Sequence, residues 1–356
     1  MNPLYEKISF AERPFLIAEA GVNYYDFAAA YDIGLLEAAK MMIEKAGESG
    51  CDAIKFQSYK AEKLASRISP AYWDLAKEKT TSQFELFKKY DKFGAEEYEK
   101  LANYCQAAGI IFMSTPFDYE SADFLSPLMP VFKISSSDIT NIPFIEYIAR
   151  KEKPVFLATG ASNLQEIDKA VSTIRKTGNR DIAVMHCILD YPTTDENVNL
   201  NMIKNLKANF PEYIIGYSDH SLPDPQMSIL TTAFLLGATV IEKHFTLNKS
   251  FEGNDHYHAA DVEDFKKFNS RIDFLITVLG LERKQVVDCE ANSRKYARRS
   301  LYARHDIPAG TMITGEMLVA KRPGTGISPE YLDMVIGKTT LVDVKEDHAV
   351  LWENLN

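Results

Sequence analysis

Three polar clusters between residues 214 and 258 hold the residue types that metal-assisted chemistry needs: Gly216-Tyr217-Ser218-Asp219-His220, Glu242-Lys243-His244 and Gly253-Asn254-Asp255-His256. The first two follow short apolar or β-branched runs, Ile214-Ile215 and Ala238-Thr239-Val240-Ile241, and so read as the C-terminal ends of buried strands. Met227 to Leu236 between them is apolar and helix-compatible, which makes a strand, helix, strand unit. Its right-handed crossover puts both strand ends on one edge of the sheet, so His220 and His244 converge across the intervening chain. Two imidazoles there can hold a divalent metal, with Asp219, Glu242 and Asp255 flanking them. A lone histidine at a strand end is more often an ordinary hydrogen-bonded residue, so the pair carries the reading and neither member does so alone.

Six further apolar runs precede this unit. Phe15 to Glu19 reads as a first strand that opens into Ala20-Gly21-Val22-Asn23, with Glu19 and Asn23 at its mouth. Ala53-Ile54-Lys55-Phe56-Gln57 follows, and a lysine in such a run costs several kcal/mol to bury, about the scale at which an anion must compensate. Lys55 is therefore a candidate phosphate or carboxylate contact, the alternative being an end-of-strand lysine that reaches water. Further strands are expected at Ile110 to Thr115, Val131 to Ser135, Pro154 to Leu157 and Ile182 to Met185. Helical spacing lies between them, over 34–45, 95–108, 144–150, 164–177 and 200–209. Residues 58–94 interrupt the rhythm with Tyr72, Trp73, Phe84, Phe87 and Tyr90, in one or two short helices that form either a lid over the mouth or a small core of their own.

Eight alternations with polar residues at strand C-termini predict an α/β fold, a closed (β/α)8 (TIM) barrel whose active site is its C-terminal face. An open doubly wound sheet is the runner-up, and it lacks its Gly-rich phosphate turn, since no GxGxxG or Walker lysine follows a strand. Beyond a helix at 262–279 the pattern changes. Residues 1–281 are expected to form the barrel, 282–299 a linker, and 300–356 a small β-rich second domain.

The 356 residues can bury a sizeable core, and the formal net charge of −10 argues against general affinity for nucleic acid or anionic membrane. Cys51, Cys105, Cys187 and Cys289 form no CxxC pair, which disfavours a zinc knuckle or disulfide scaffold and suits a reducing cytoplasm. With no run of signal-peptide or membrane-span character, the expectation is a soluble, unprocessed chain.

Seven ordered motifs resemble those of the bacterial sialic acid synthases: Ile17 to Asn23, Ile54 to Gln57, Ser114 to Asp118, Phe132 to Ser136, Gly216 to His220, Glu242 to Thr246, and Arg322-Pro323-Gly324-Thr325-Gly326 in the second domain. The resemblance covers the barrel and a C-terminal antifreeze-like (SAF, β-clip) domain. It implies condensation of phosphoenolpyruvate with an open-chain N-acyl amino sugar, giving a nine-carbon 2-keto sugar acid and phosphate. It further implies that His220 and His244 hold a manganese-like ion, with magnesium as the alternative, acting as a Lewis acid on the sugar carbonyl. Lys55, Thr115, Lys133, Ser136 and Ser218 match positions that meet phosphoenolpyruvate. Glu19, Asp138, Tyr191, Glu242 and Asp255 would surround metal, water and sugar hydroxyls. Arg322 resembles an arginine that reaches the sugar's N-acyl group from a partner subunit in a domain-swapped homodimer.

This chain departs from the family pattern in four places. Asn23-Tyr24-Tyr25-Asp26 stands where many members have Asn-His-Asn-Gly, with a longer loop to the first helix. Asp138 replaces a Glu, Ala158 a Ser and Leu189 an Asn. These changes bear on the sugar more than on the reaction. N-acetylmannosamine is the first expectation, a diacetamido sugar of the legionaminic or pseudaminic kind the second, and an idle carbohydrate-binding paralogue the reading from another class.

Overall fold

The computed structural model describes residues 1–253 and 255–356, so Asn254 of the third polar cluster lies outside the described residues. Eight strands build the first unit, which spans residues 1–279. They are β1 (Phe15–Gly21), β2 (Ala53–Ser58), β3 (Ile111–Pro116), β4 (Phe132–Ile134), β5 (Val155–Ala158), β6 (Ile182–Cys187), β7 (Ile214–Asp219) and β8 (Val240–His244). Their order is β3-β2-β1-β8-β7-β6-β5-β4, and every pair in the ladder is parallel. The end strands β3 and β4 lie against each other, so the sheet curls into a nearly closed barrel. Helices on its outside alternate with the strands, as the periodicity predicts.

Strand parity sorts the side chains. Ile17, Ala53, Met113, Val131, Phe156, Ala183, Met185, Ile214 and Val240 pack together as the apolar filling of the barrel. Leu16, Ala18, Ile54, Phe56, Phe112, Leu157, Val184, Ile215 and Ile241 face the helices in a larger core. Truncating a residue such as the fully buried Phe156 to Ala would cost about 3–5 kcal/mol. Gly216 is required by space: a Cβ there would lie 2.9 Å from the Val240 carbonyl and from Met185 Cγ.

Several helices were not legible in the hydrophobic pattern, Tyr119–Leu125 between β3 and β4 among them. Pro3–Ser9 closes the N-terminal end of the barrel, burying Tyr5 and Ile8 in the filling while the Tyr5 hydroxyl donates to the Ile182 carbonyl at 2.7 Å. Tyr24–Tyr31 occupies the stretch expected to be a longer loop. Its aromatics drive that outcome, because Tyr24 stacks on Phe93 at 5.1 Å and Tyr25 meets Tyr90 edge-on at 5.3 Å. The interrupting segment forms short helices at Ala61–Leu64 and Gln83–Lys89.

The second unit covers residues 280–356. It carries a helix at Ala291–Tyr296 and an antiparallel pair, β9 (Ser300–Ala303) with β10 (Leu318–Lys321). Leu301, Ile307, Ile313, Leu318, Ile327, Val335, Val344 and Val350 form a separate small core. Among the described residues no helix is long and apolar enough to cross a membrane.

Candidate active site

The register of the sheet sets the floor of the site. Glu19 of β1 lies opposite Lys55 of β2 and His244 of β8, and Ser218 of β7 lies opposite Glu242. All point inward, above the apolar filling. Lys55 pairs with Glu19 and donates to Thr115 Oγ1 at 3.1 Å. Glu242 Oε1 accepts from Lys133 Nζ and from Ser218 Oγ, each at 3.0 Å, and its Oε2 lies 3.8 Å from Lys55. Gln57 Nε2 donates to Glu19 Oε1 at 3.0 Å. Four charged groups are thus almost fully buried and mutually compensated, the condition under which burial of each ion is tolerable.

The two carboxylates respond oppositely. Burial pushes the Glu242 carboxyl up, but Lys133 and Lys55 outweigh it and hold it down at about 2. For Glu19 burial prevails over the attraction of Lys55, and the Glu242 charge adds to it, so its carboxyl sits above the usual range. Burial disfavours the Lys55 ammonium, and Glu19 and Glu242 reverse this and raise it. Glu242 is the fixed negative charge, and Glu19 is the group able to take a proton.

Three imidazoles gather round Tyr191 above this floor. Its ring lies 4.1 Å from that of His220, 6.0 Å from His244 and 5.7 Å from His258. The His220 and His244 rings are 5.4 Å apart, so the convergence predicted from the crossover is present. His220 Nδ1 sits 2.7 Å from the Ile188 carbonyl, an orienting contact that leaves the other ring nitrogen for the mouth. His244 Nδ1 lies 3.7 Å from Asp255 Oδ2. One ligand atom each from His244, Asp255 and His258 falls within 4.8 Å of the others, a set that could hold a metal ion. Burial, then the neighbouring His258 and His220, push the His244 imidazole well below its usual range. Burial and His220 bring His258 down to about 3. Both are neutral, as ligands must be.

Two adjoining cavities share Gln57, Tyr191 and His244. The inner one is lined by Glu19, Lys55, Thr115, Lys133, Ser136, Ser218, His220 and Glu242, together with Ala158 and Leu189. Tyr59, Tyr72, Trp73, Leu86, Phe87 and Tyr90 wall the outer one, with Asp26, Glu78 and Asp255 between them. The segment that interrupts the barrel rhythm therefore rims the mouth.

Two of the singled-out barrel residues stand apart. Asp138 lines neither cavity; it is half-buried, accepts from Asn141 Nδ2 at 3.2 Å, and burial raises its carboxyl. Asp219 turns away from the mouth: with Lys243 it forms an ion pair 1% exposed at each side chain, reinforced by Tyr217 Oη at 2.6 Å and Ser221 Oγ. Arg322 is exposed in the second unit. His256 bonds Thr246 Oγ1 at 2.7 Å and faces Asp26. Sequence reading passed over Gln57, although it shares strand parity with Lys55, and His258, which lies on a loop where parity has no meaning.

A nearly closed parallel barrel with buried lysines, carboxylates and imidazoles at its C-terminal mouth, followed in the chain by a SAF domain, is the architecture of a barrel enzyme whose chemistry sits at its strand ends. The chain belongs to the NeuB family, which it matches over residues 42–284, and it matches the SAF domain over residues 298–356. It is 35% identical to the N,N'-diacetyllegionaminic acid synthase of Legionella pneumophila, over 96% of this chain and 94% of that one. With human N-acetylneuraminate-9-phosphate synthase it shares 31% identity, over 95% of this chain and 92% of that one. The crystal structure of N-acetylneuraminic acid synthetase from Leptospira borgpetersenii superposes with a TM-score of 0.68 at 30% identity, over 79% of this chain and 90% of that one.

Proposed function

We propose that this chain condenses phosphoenolpyruvate with the open-chain form of an unphosphorylated N-acyl amino sugar, giving a nine-carbon 2-keto sugar acid and phosphate. The observation that carries the reading is the meeting of Lys55 and Lys133 at Glu242 on the floor of the inner cavity. A ligand with both a carboxylate and a phosphate has the charge to take those ammonium groups from their carboxylate partners. Thr115, Ser136 and Ser218 offer hydroxyls on the same side. Glu19 holds or releases a proton beside them. Glu242 keeps its charge throughout.

The donor set at the mouth fits a divalent ion, because His244 Nδ1 and both ring nitrogens of His258 are buried without a hydrogen-bond partner among the described residues. In this reading His220 and His244 hold manganese or magnesium, which supplies a Lewis acid for the sugar carbonyl. Tyr191 packs the His220 ring in place.

For the sugar, the outer cavity places carboxylates and aromatic rings, with no lysine or arginine among its described lining residues, where the far end of the sugar would lie. A sugar phosphate would meet like charge there. The apolar wall favours a 2,4-diacetamido hexose of the legionaminic kind over N-acetylmannosamine, which sequence alone put first, because extra acyl and methyl groups gain from burial where hydroxyls do not. The 35% identity to the legionaminic synthase supports this order.

The reading includes a homodimer in which Arg322 of the partner subunit contacts the N-acyl group, and a cytoplasmic setting suited to four free cysteines. Sedimentation of the purified chain checks the dimer. Phosphate release from phosphoenolpyruvate, measured on metal-stripped protein with manganese restored, checks the reaction with N-acetylmannosamine, its 6-phosphate and a 2,4-diacetamido hexose in parallel. Release with the diacetamido sugar alone is expected. Release with the 6-phosphate alone would overturn the sugar assignment, and none with any sugar would overturn the synthase reading.

A further inference from the structure

We propose that His258, with Asp255, joins the His220 and His244 pair as a further protein ligand of the divalent ion. This rests on the metal-dependent reading above and deepens it, since that reading needs only the two strand-end histidines.

The geometry comes first. Ligand atoms of His244, Asp255 and His258 all lie within 4.8 Å of one another. Three atoms that close have a common point within about 2.8 Å of each, so contraction by roughly half an ångström reaches metal-bond length. The His258 ring lies 4.8 Å from that of His244 and is edge-on to Tyr257 at 5.1 Å. His220 is not a member of the tight set, although its ring is 5.4 Å from that of His244.

The second argument is a missing partner. His258 is 0% exposed, and neither ring nitrogen makes a hydrogen bond among the described residues. Leaving a buried polar group unsatisfied is costly, and such groups in folded proteins are explained by water, an ion or a functional role. His258 lines neither cavity, so a sugar hydroxyl is not what its nitrogens meet. A neutral imidazole beside a second imidazole and a carboxylate is a nitrogen and oxygen donor set suited to a divalent first-row metal.

The chain has a local reason to put it there. Residue 258 comes just before the bridge in which the Ala260 amide donates to the His244 carbonyl at 2.7 Å. That bridge clamps the loop carrying Asp255 and His258 onto the end of β8. The loop delivers two ligands to a strand that already carries His244.

Full-length, metal-stripped protein is titrated with manganese alone, and free manganese is read by its electron paramagnetic resonance signal for wild type, His258→Ala and His244→Ala. The expected result is a loss of at least tenfold in affinity for both variants. Thermal melts of the metal-free proteins accompany the titration: His258→Ala should melt no lower than wild type, and its manganese-induced rise in Tm should shrink. A merely structural role would do the reverse, lowering the metal-free melt and sparing affinity. Wild-type affinity in His258→Ala with loss in His244→Ala would overturn the role of His258 and leave the metal reading standing. Unchanged affinity in both would overturn both. Should His258→Ala not fold, a manganese-edge anomalous map of wild-type crystals decides: the peak is expected within about 2.3 Å of a His258 nitrogen, and a peak held by His220 and His244 alone would refute the proposal.

Discussion

Glu242 and Lys243 are neighbours in the chain and serve opposite faces of β8. Glu242 turns into the barrel, where it accepts from Lys133 at 3.0 Å, while Lys243 turns behind the sheet and pairs with Asp219. The period of two along a strand separates a site residue from a structural one by a single peptide bond. Substitutions at the two positions should therefore fail in different ways.

Asp219→Asn is expected to destabilise the barrel by about 3–5 kcal/mol, because it leaves Lys243 buried without its counter-charge. Burial opposes the Asp219 charge, but Lys243 outweighs it and holds the carboxyl below its ordinary value. A depressed folded pKa gives stability that is present above the unfolded value of about 3.9 and lost as pH falls through the folded one. Urea melts should show wild type losing this increment in acid and Asp219→Asn lacking it at neutral pH.

Glu242→Gln should lower kcat by about a hundredfold or more, since it removes the fixed charge that meets both lysines. Its activity loss at wild-type levels of folded protein, read by circular dichroism beside phosphate release, separates it from Asp219→Asn. An active Glu242→Gln protein would remove Glu242 from the site.

Lys55→Met and Lys133→Met should each raise KM for phosphoenolpyruvate by about ten- to a hundredfold, the range for losing one charge-assisted hydrogen bond. KM for the sugar should move much less. Equal effects on the two substrates would contradict the division into inner and outer cavities.

Binding of phosphoenolpyruvate should take up a proton. Burial already raises the Glu19 carboxyl against the pull of Lys55, and an anion that engages Lys55 removes that pull. Affinity should then weaken as pH rises through the pKa that Glu19 has in the complex. Titration calorimetry in two buffers of different ionisation enthalpy measures the uptake, and Glu19→Gln should abolish it. Buffer-independent heats in wild type would remove Glu19 as the proton carrier.

Trp73→Ala should raise KM for the sugar by about tenfold and leave that for phosphoenolpyruvate near wild type, because Trp73 lines only the outer cavity. Steady-state kinetics with each substrate varied in turn tests this.

Much of this was open to reading in one dimension. Apolar runs located all eight barrel strands within a few residues, and Lys55 of β2 stood out because charge in a buried run is anomalous. The aromatic helix Tyr24–Tyr31 escaped because its stability comes from stacking on Phe93 and Tyr90, residues far along the chain. Asp219 looked like a companion of His220, yet parity alone assigns it to the outer face. His258 left no trace, since a loop residue has no period from which its direction follows.

The sequence by itself determined the alternation of strands and helices and the polar residues at strand ends, because both follow from local periodicity. It also determined the family, through ordered motifs along most of the chain. Only the tertiary structure decided which charges neutralise which, since Lys133 and Glu242 lie 109 residues apart and meet through the curvature of the barrel. The same holds for the third imidazole. Its place beside His244 depends on a loop folded back onto β8 by long-range backbone hydrogen bonds, and such contacts are set by closure of the whole sheet.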